Sequence, residues 1–383
     1  MKETPKLRPV KKIPREIRLP DERIAVWSLV LLGLGLLSFV LLLIGREHPA
    51  FAELCNRSIG AALRAVLAFL TNLLPFSLAE FLILMLPLFL VLLIRYAVKH
   101  KSRNWRCVLS YTVSLVSVAS LFFSVFVWAC GMGYHTPTLS ERLCLADEAV
   151  SADELVDTAH KLIEEMEPYL SDVRYTESGA SVMPYSLAEM NQKLIASYKT
   201  LAGQYPFIHA HRSRIKPVLL SVPMSYAHFT GFYTFFTGEA NLNVDFPAYT
   251  LPFTAAHELA HSRGIARENE ANFMAFLACV HSENDYIRYC GFLNLFEYVA
   301  SALYEADTSE GKVLYHGVID ALDERAWGEL VAYSVFFDKY RDTAISEISG
   351  AVNDSYLKAN GTEEGEKSYG LVVNLAVSYY KNR

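Results

Sequence analysis

The chain has 383 residues, of which 52% are hydrophobic, and a formal net charge of −6. That length accommodates two or three folded units. No basic stripe lies outside the amino-terminal third, which argues against nucleic acid as a partner, and six cysteines without CxxC or paired spacing argue against a zinc knuckle or a dense disulfide framework. A single Cys279–Cys290 disulfide is left open.

The first 23 residues are rich in Lys and Arg and are assigned to the cytoplasm. Ile24 to Ile44 then runs for 21 residues without a charge. A hydrocarbon core of about 30 Å takes roughly 20 helical residues, so this segment predicts a spanning helix. A signal peptide fits poorly, because 23 residues precede the run and Gly45-Arg46-Glu47-His48 is not a small-residue cleavage site. A second span is predicted over about 75–94, with Glu80 near its start and Pro87 inside, and a third over about 108–131, with Trp128 as an interfacial anchor. The run Ile59–Leu74, interrupted by Arg64 and Asn72, reads instead as an interfacial or re-entrant helix. Arg95, Lys99, Lys101, Arg103 and Arg106 lie between the second and third spans and belong with the basic amino terminus on the cytoplasmic side. Three spans starting inside place residues 133–383 outside the cytoplasm.

That remaining part has the composition of a water-soluble domain, entered through a short linker at 135–140. Ala152–Leu170 and Leu187–Tyr205 carry apolar residues at helical spacing. Val218–Val222, between two prolines, suits a strand, and Phe229–Asn243 suits strands with a turn. Helical patterns follow from Ala255, through Phe273–His281, Tyr286–Tyr304, Val313–Leu322 and Trp327–Leu357. The predicted class is α+β: N-terminal transmembrane helices, then a mainly helical domain with a small sheet.

The chemistry centres on Thr254-Ala-Ala-His257-Glu258-Leu-Ala-His261-Ser-Arg-Gly264. Two histidines four apart project from one helix face and can share one metal ion, with Glu258 beside them to take a proton from a water that the metal polarises. With 11 histidines and 41 acidic residues, chance gives roughly 0.03 such patterns in a chain of this length. Thr254 is a candidate N-cap and Gly264 a candidate stop. Two surface histidines on an ordinary helix would be the plain alternative, but a third ligand is within reach. Gly264 lets the chain reverse, and a helix starting near Arg267 brings Glu268 back toward the histidines, with Asn272 one turn on. Glu270 points about 200° away and is the second choice. Zinc suits two imidazoles and a carboxylate with one position left open, although manganese or iron takes similar ligands.

The segment Glu268-Asn-Glu-Ala-Asn272 resembles the Glu-x-x-Ala-Asp segment that supplies the third ligand in gluzincin-type membrane peptidases, with Asn272 where those carry Asp. The histidine motif also resembles that of the metzincins, but Arg267 stands where their third histidine would be, and guanidinium does not ligate zinc. Over a longer stretch, Lys216-Pro-Val-Leu-Leu-Ser221, Thr237-Gly-Glu239-Ala-Asn241-Leu-Asn243 and Leu251-Pro-Phe-Thr-Ala-Ala-His257-Glu258 resemble the DUF3810 family. The resemblance implies a bacterial cell-membrane protein and supplies no substrate.

The expected function is therefore a membrane-anchored zinc metallopeptidase: His257, His261 and Glu268 as metal ligands, Glu258 as catalytic base, one Zn²⁺ per chain. Its expected partners are the lipid bilayer and a protein or peptide substrate held near it. A metal-dependent amidase acting on cell-wall peptides would use the same groups, and a non-catalytic sensor or scaffold would use a closed metal site. Glu239–Val244 is a candidate edge strand for pairing extended substrate. His281, Tyr289 and Tyr298 are candidate donors to a developing oxyanion.

Overall fold

The computed structural model describes residues 24–100, 105–146, 148–341, 343–360 and 371–383. The basic segment 1–23 and the loop cations Lys101 and Arg103 lie outside these residues.

At the amino-terminal end, four helices are long and apolar enough to cross a membrane, by length and composition. The first is α1 (Val26–Glu47). The second is composite: α2 (Pro49–Cys55), a π-helical turn (Asn56–Gly60) and α3 (Ala61–Asn72) follow one another without a break. Then come α4 (Leu78–His100) and α5 (Trp105–Ala129). α1 packs along α5 through small side chains: Ser28, Gly35 and Ser38 of α1 and Ser110, Ser117 and Ser124 of α5 are buried, and a Cβ on Gly35 would come 2.8 Å from that of Ser120. Such packing lets two backbones approach closely where lipid surrounds them. Trp128 Nε1 donates to Ser38 Oγ at 3.1 Å.

The composite helix extends the expected 59–74 element back to Pro49, and it differs from the other three. Its mean hydropathy is 1.2, against 2.0 to 2.6 for them. Its polar residues are bonded to the globular part from end to end. Glu53 pairs with Arg142, Asn56 Nδ2 donates to the Gly264 carbonyl at 2.9 Å, and Asn72 Nδ2 donates to the Arg212 carbonyl at 3.1 Å. Arg64 is buried because its guanidinium donates to Asn56 Oδ1 at 2.8 Å, the Asn56 carbonyl at 2.9 Å and the Ala129 carbonyl at 3.1 Å. The two residues that interrupt the apolar run in the sequence, Arg64 and Asn72, are thus its anchors.

The globular part begins with α6 (Leu139–Leu143), α7 (Ala152–Met166) and α8 (Leu187–Gln204). Each starts with a reciprocal capping box: Thr138 with Glu141, Ser151 with Glu154, Ser186 with Glu189. The Ser/Thr-x-x-Glu spacing satisfies two orphan N–H groups at once and fixes each start. Next come β1 (Ile215–Pro217), α9 (Ser221–Tyr226), β2 (Gly231–Thr234) and β3 (Glu239–Leu242). The helical remainder is α10 (Thr250–Ser262), α11 (Glu268–Val280), α12 (Asp285–Ala306), α13 (Val313–Asp320), α14 (Glu324–Phe337), α15 (Ala344–Ala359) and α16 (Val372–Lys381). α10 is buried on nearly all sides, between β3 and the pair α11 and α12.

The sheet has the order β1-β3-β2, with β1 parallel to β3 (Lys216 opposite Asn241) and β2 antiparallel to it (Tyr233 opposite Ala240). Glu239–Leu242 is therefore the central strand and not the expected edge, because both of its sides are hydrogen-bonded; β2 is the edge nearest α10. The apolar run Val218–Val222 is not a strand either. The strand ends at Pro217, and Pro223 sits in the first turn of α9, where its missing N–H costs nothing. The helical pattern expected over Trp327–Leu357 breaks into α14 and α15, the second capped by the Thr343 side chain. All six cysteines are free, so Cys279 and Cys290 are not bridged. The linker leaving α5 is packed rather than free: Arg267 donates to the carbonyls of Tyr134 at 2.9 Å and Thr136 at 2.8 Å.

α4 is joined to the sheet through its first turn. The Glu239 carboxylate accepts from the backbone N–H of Leu78 at 3.0 Å and Ala79 at 2.8 Å, two of the orphan donors of that helix start. It is also ion-paired with the fully buried Lys216, whose ammonium donates to the carbonyls of Thr71 at 2.7 Å and Phe76 at 2.9 Å. Glu80 in turn accepts from the N–H of Leu219 and Leu220.

Candidate metal centre

α10 starts at Thr250, one turn earlier than expected, so Pro252 falls in its first turn and Thr254 is inside the helix rather than capping it. The end is as expected. Arg263 is the C-cap and Gly264 has φ +92°, a left-handed conformation that favours glycine. A Cβ at Gly264 would also run into the Arg64 guanidinium and come 2.8 Å from Asn56 Oδ1. The turn that follows delivers Glu268 to the first position of α11, with Arg267 as N-cap. A carboxylate is favoured at that end of a helix.

His257, His261 and Glu268 are brought together. His257 Nε2 lies 3.0 Å from His261 Nε2 and 3.0 Å from Glu268 Oε2, and His261 Nε2 lies 3.4 Å from that oxygen. Tetrahedral zinc with bonds near 2.1 Å would separate its ligand atoms by about 3.4 Å. The remaining ring nitrogens are held as donors: His257 Nδ1 is 2.7 Å from Asn272 Oδ1, and His261 Nδ1 is 2.8 Å from the Ile265 carbonyl. Each Nε2 is then left with its lone pair turned to the common point, the arrangement by which outer partners orient metal-binding imidazoles. Asn272 is itself steadied by donating to the Tyr298 hydroxyl at 3.3 Å. Burial would raise the Glu268 carboxyl, but the charges and hydrogen bonds of His261 and His257 outweigh it and hold the group well below the usual range. Burial likewise opposes the charge on His261, yet the Glu268 carboxylate carries it up to about 9, so a metal ion held there would have to displace the Nε2 proton to reach the lone pair. These three side chains could hold a metal ion.

Glu270 is not in the cluster. Its carboxylate accepts from the Leu139 N–H at 2.9 Å and from Arg267 at 2.8 Å, fixing the start of α6. The residue in the place of the metzincin histidine is therefore an anchor for the membrane linker.

Glu258 is buried and its Oε2 has no hydrogen-bond partner. Burial pushes its carboxyl up to about 7, against the pull of His257 and His261. Its other face is pressed against β2: a Cβ on Gly231 would stand 2.7 Å from Glu258 Oε1 and 2.9 Å from the Asn241 carbonyl. Only glycine leaves the carboxylate in place, a requirement the local sequence does not announce.

A cavity of about 740 Å³ opens beside this pair, lined by His257 and Glu258, by Phe229–Gly231 leading into β2, and by Ser346, Ser349, Gly350 and Asn353 of α15. Of the three candidate oxyanion donors, Tyr298 lines it; His281 donates to the Leu277 carbonyl, and Tyr289 is packed among Tyr175 and Tyr286. Glu297 also lines the cavity and was not singled out from the sequence. Tyr249 donates to both of its oxygens at 3.1 Å, and burial pushes its carboxyl up to about 8. Between the unfolded value near 4.3 and about 8 the folded chain holds a proton that the unfolded chain has lost, so stability falls as pH rises through that window. Glu297→Gln is expected to melt at a higher temperature than wild type at pH 9 and at nearly the same one at pH 5, a gain on the order of 1–3 kcal/mol. Equal shifts at both values would show that Glu297 is ionised throughout.

A family model described as a protein of unknown function (DUF3810) matches residues 56–377, and the chain belongs to that family. No curated protein and no solved structure matches it.

Proposed function

We propose that this DUF3810 member is a membrane-anchored, zincin-like zinc peptidase in which His257, His261 and Glu268 hold the metal and Glu258 is the general base. The observation that carries the reading is the Glu258 carboxylate, buried with one oxygen unpartnered, beside three convergent ligand atoms and on the wall of a cavity. Leaving a buried polar group without a partner is costly, and a purely structural metal site has no use for it. A zinc ion held by these three side chains would supply Lewis acidity to a nearby water. Glu258 would accept a proton from that water and return it to the departing amine. Asn272 and Ile265 keep the two imidazoles in register, and Tyr298, on the cavity wall, would be the donor to the charge developing on the carbonyl oxygen.

For the membrane part we infer three crossings, by α1, α4 and α5. α4 begins on Glu239 of the sheet in the globular part. α1 ends with Gly45 against Met132, next to Gly133 on Ala266, and α5 ends with the Ala129 carbonyl on Arg64, whose partner Asn56 is bonded to Gly264. The element Pro49–Asn72 is bonded to that same part near both ends, which suits a helix lying along it. With the basic segment 1–23 in the cytoplasm, the catalytic part faces outward, and its substrates are proteins or peptides near the bilayer. Amidase action on a cell-wall peptide would employ the same groups. A structural site calls for a fourth ligand, and among the described residues the cluster offers three.

The test is metal analysis of the full chain purified in mild detergent, with hydrolysis of casein and of cell-wall peptides assayed in parallel. About one zinc per chain is expected in wild type, with most of it lost in Glu268→Gln. Wild-type protein without bound metal would sink the peptidase and the amidase together.

A further inference from the structure

α15 has three distinct sides. Ser346, Ser349 and Asn353 face the cavity. Ile345, Ile348 and Val352, spaced to fall on one stripe, are 56, 67 and 65% exposed. Glu347 and Lys358 are exposed on a third side, about a quarter-turn or more away from the stripe. With Asp354 paired to Lys358 on that charged side, a helix whose apolar stripe is uncovered and whose charges lie to one side can rest with the stripe in a membrane interface.

Its position fits the same pattern. Tyr356 continues the stripe and meets Phe126 of α5, ring centroids 6.5 Å apart. The tip of the β2–β3 hairpin rests on the same helix, Phe235 on Phe126 at 5.3 Å and Phe236 on Phe122 at 5.8 Å. At the β1–α9 corner, Leu219 is 84% exposed directly beside Glu80 in the first turn of α4. Apolar side chains of α15, the hairpin tip and the β1–α9 corner therefore continue the exposed apolar surfaces of two helices long enough to span.

We propose that α15 is an interfacial helix whose Ile345–Ile348–Val352 face sits in the bilayer that α5 crosses, so that the cavity opens at the membrane surface toward polypeptide segments held there. The occupant of this face is lipid. The placement does not depend on whether the cavity hydrolyses anything, so it can fail or succeed apart from the peptidase reading.

The full chain is reconstituted in vesicles of phosphatidylcholine and phosphatidylglycerol, with Cys144 replaced by Ser. Nitroxide labels are placed by Ile348→Cys, by Ile345→Cys and, as water-facing references, by Glu347→Cys and by Glu164→Cys on α7. Collision with oxygen, which concentrates in lipid, is compared with collision with a water-soluble nickel chelate. The labels at 345 and 348 are expected to favour oxygen several-fold over those at 347 and 164. All four positions are on exposed side chains, so folding is not at risk. Nickel accessibility at 348 equal to that at 164 would overturn the proposal. A label at 348 shielded from both reagents would overturn it too, since a second copy of the chain and not lipid would then cover the stripe.

Discussion

Glu258→Gln is expected to remove hydrolysis by at least about a thousandfold while leaving zinc bound at the wild-type level. The substitution keeps the shape that fits against Gly231 and alters none of the three ligand atoms. What it takes away is an oxygen able to accept and hold a proton. Because Oε2 makes no hydrogen bond in the folded chain, little stability is tied to it, and the variant should fold as wild type does. Glu258→Asp is the useful companion. It keeps the acid but withdraws it by a methylene from the cavity, so partial activity is expected. Activity is followed on the substrate identified with the wild type, and zinc is measured on the same preparation. Full activity in Glu258→Gln would mean that another group takes the proton, whereas loss of zinc along with activity would mean that Glu258 supports the ligand cluster rather than the reaction.

The second large effect is expected far from that chemistry. Lys216 and Glu239 form an ion pair with both side chains 1% exposed, and the pair joins the sheet to the beginning of α4. Removing one partner leaves the other charge buried, which typically costs about 3–5 kcal/mol. Glu239→Gln should lower Tm by roughly 10 °C. The amide oxygen can still accept from Leu78 or Ala79, but the Lys216 ammonium keeps only two neutral carbonyls. Lys216→Met combined with Glu239→Gln should be less damaging than Glu239→Gln alone, because no unpaired charge remains. Thermal melts of Glu239→Gln, of Lys216→Met alone and of the double variant in one detergent decide this. Additive losses would show that each residue acts through separate contacts.

The ligand cluster was legible in the sequence because it is local. The spacing of His257 and His261 becomes a shared face through the 3.6-residue turn of one helix, and Gly264 signals the reversal that returns Glu268 to them. The start of α10 was misplaced for an equally local reason: Thr254 resembles a cap, but the helix is buried on almost every side, and tertiary packing lets it begin at Thr250 without one. The strand Glu239–Leu242 was read as an edge because a sequence carries the side-chain alternation of a strand and not the identity of its neighbours. Arg64 and Asn72, which interrupt an apolar run, mark the 59–74 element as different from a plain span, yet their partners at Asn56, Ala129 and Arg212 are not legible in the sequence.

By itself, then, the sequence determined the apolar helices of the amino-terminal third, the mainly helical remainder, and the convergence of His257, His261 and Glu268. All of these follow from the periodicity of single helices and from one short turn. Only the tertiary structure decided that Arg64 and Asn56 brace the Gly264 turn, that Glu239 caps α4, that Gly231 makes room for Glu258, and that α15 forms a wall of the cavity. Those contacts join residues as far as 208 positions apart. A periodic pattern states which face of a helix or strand must be covered, but the covering partner is chosen by packing, and packing exists only once the chain has closed on itself.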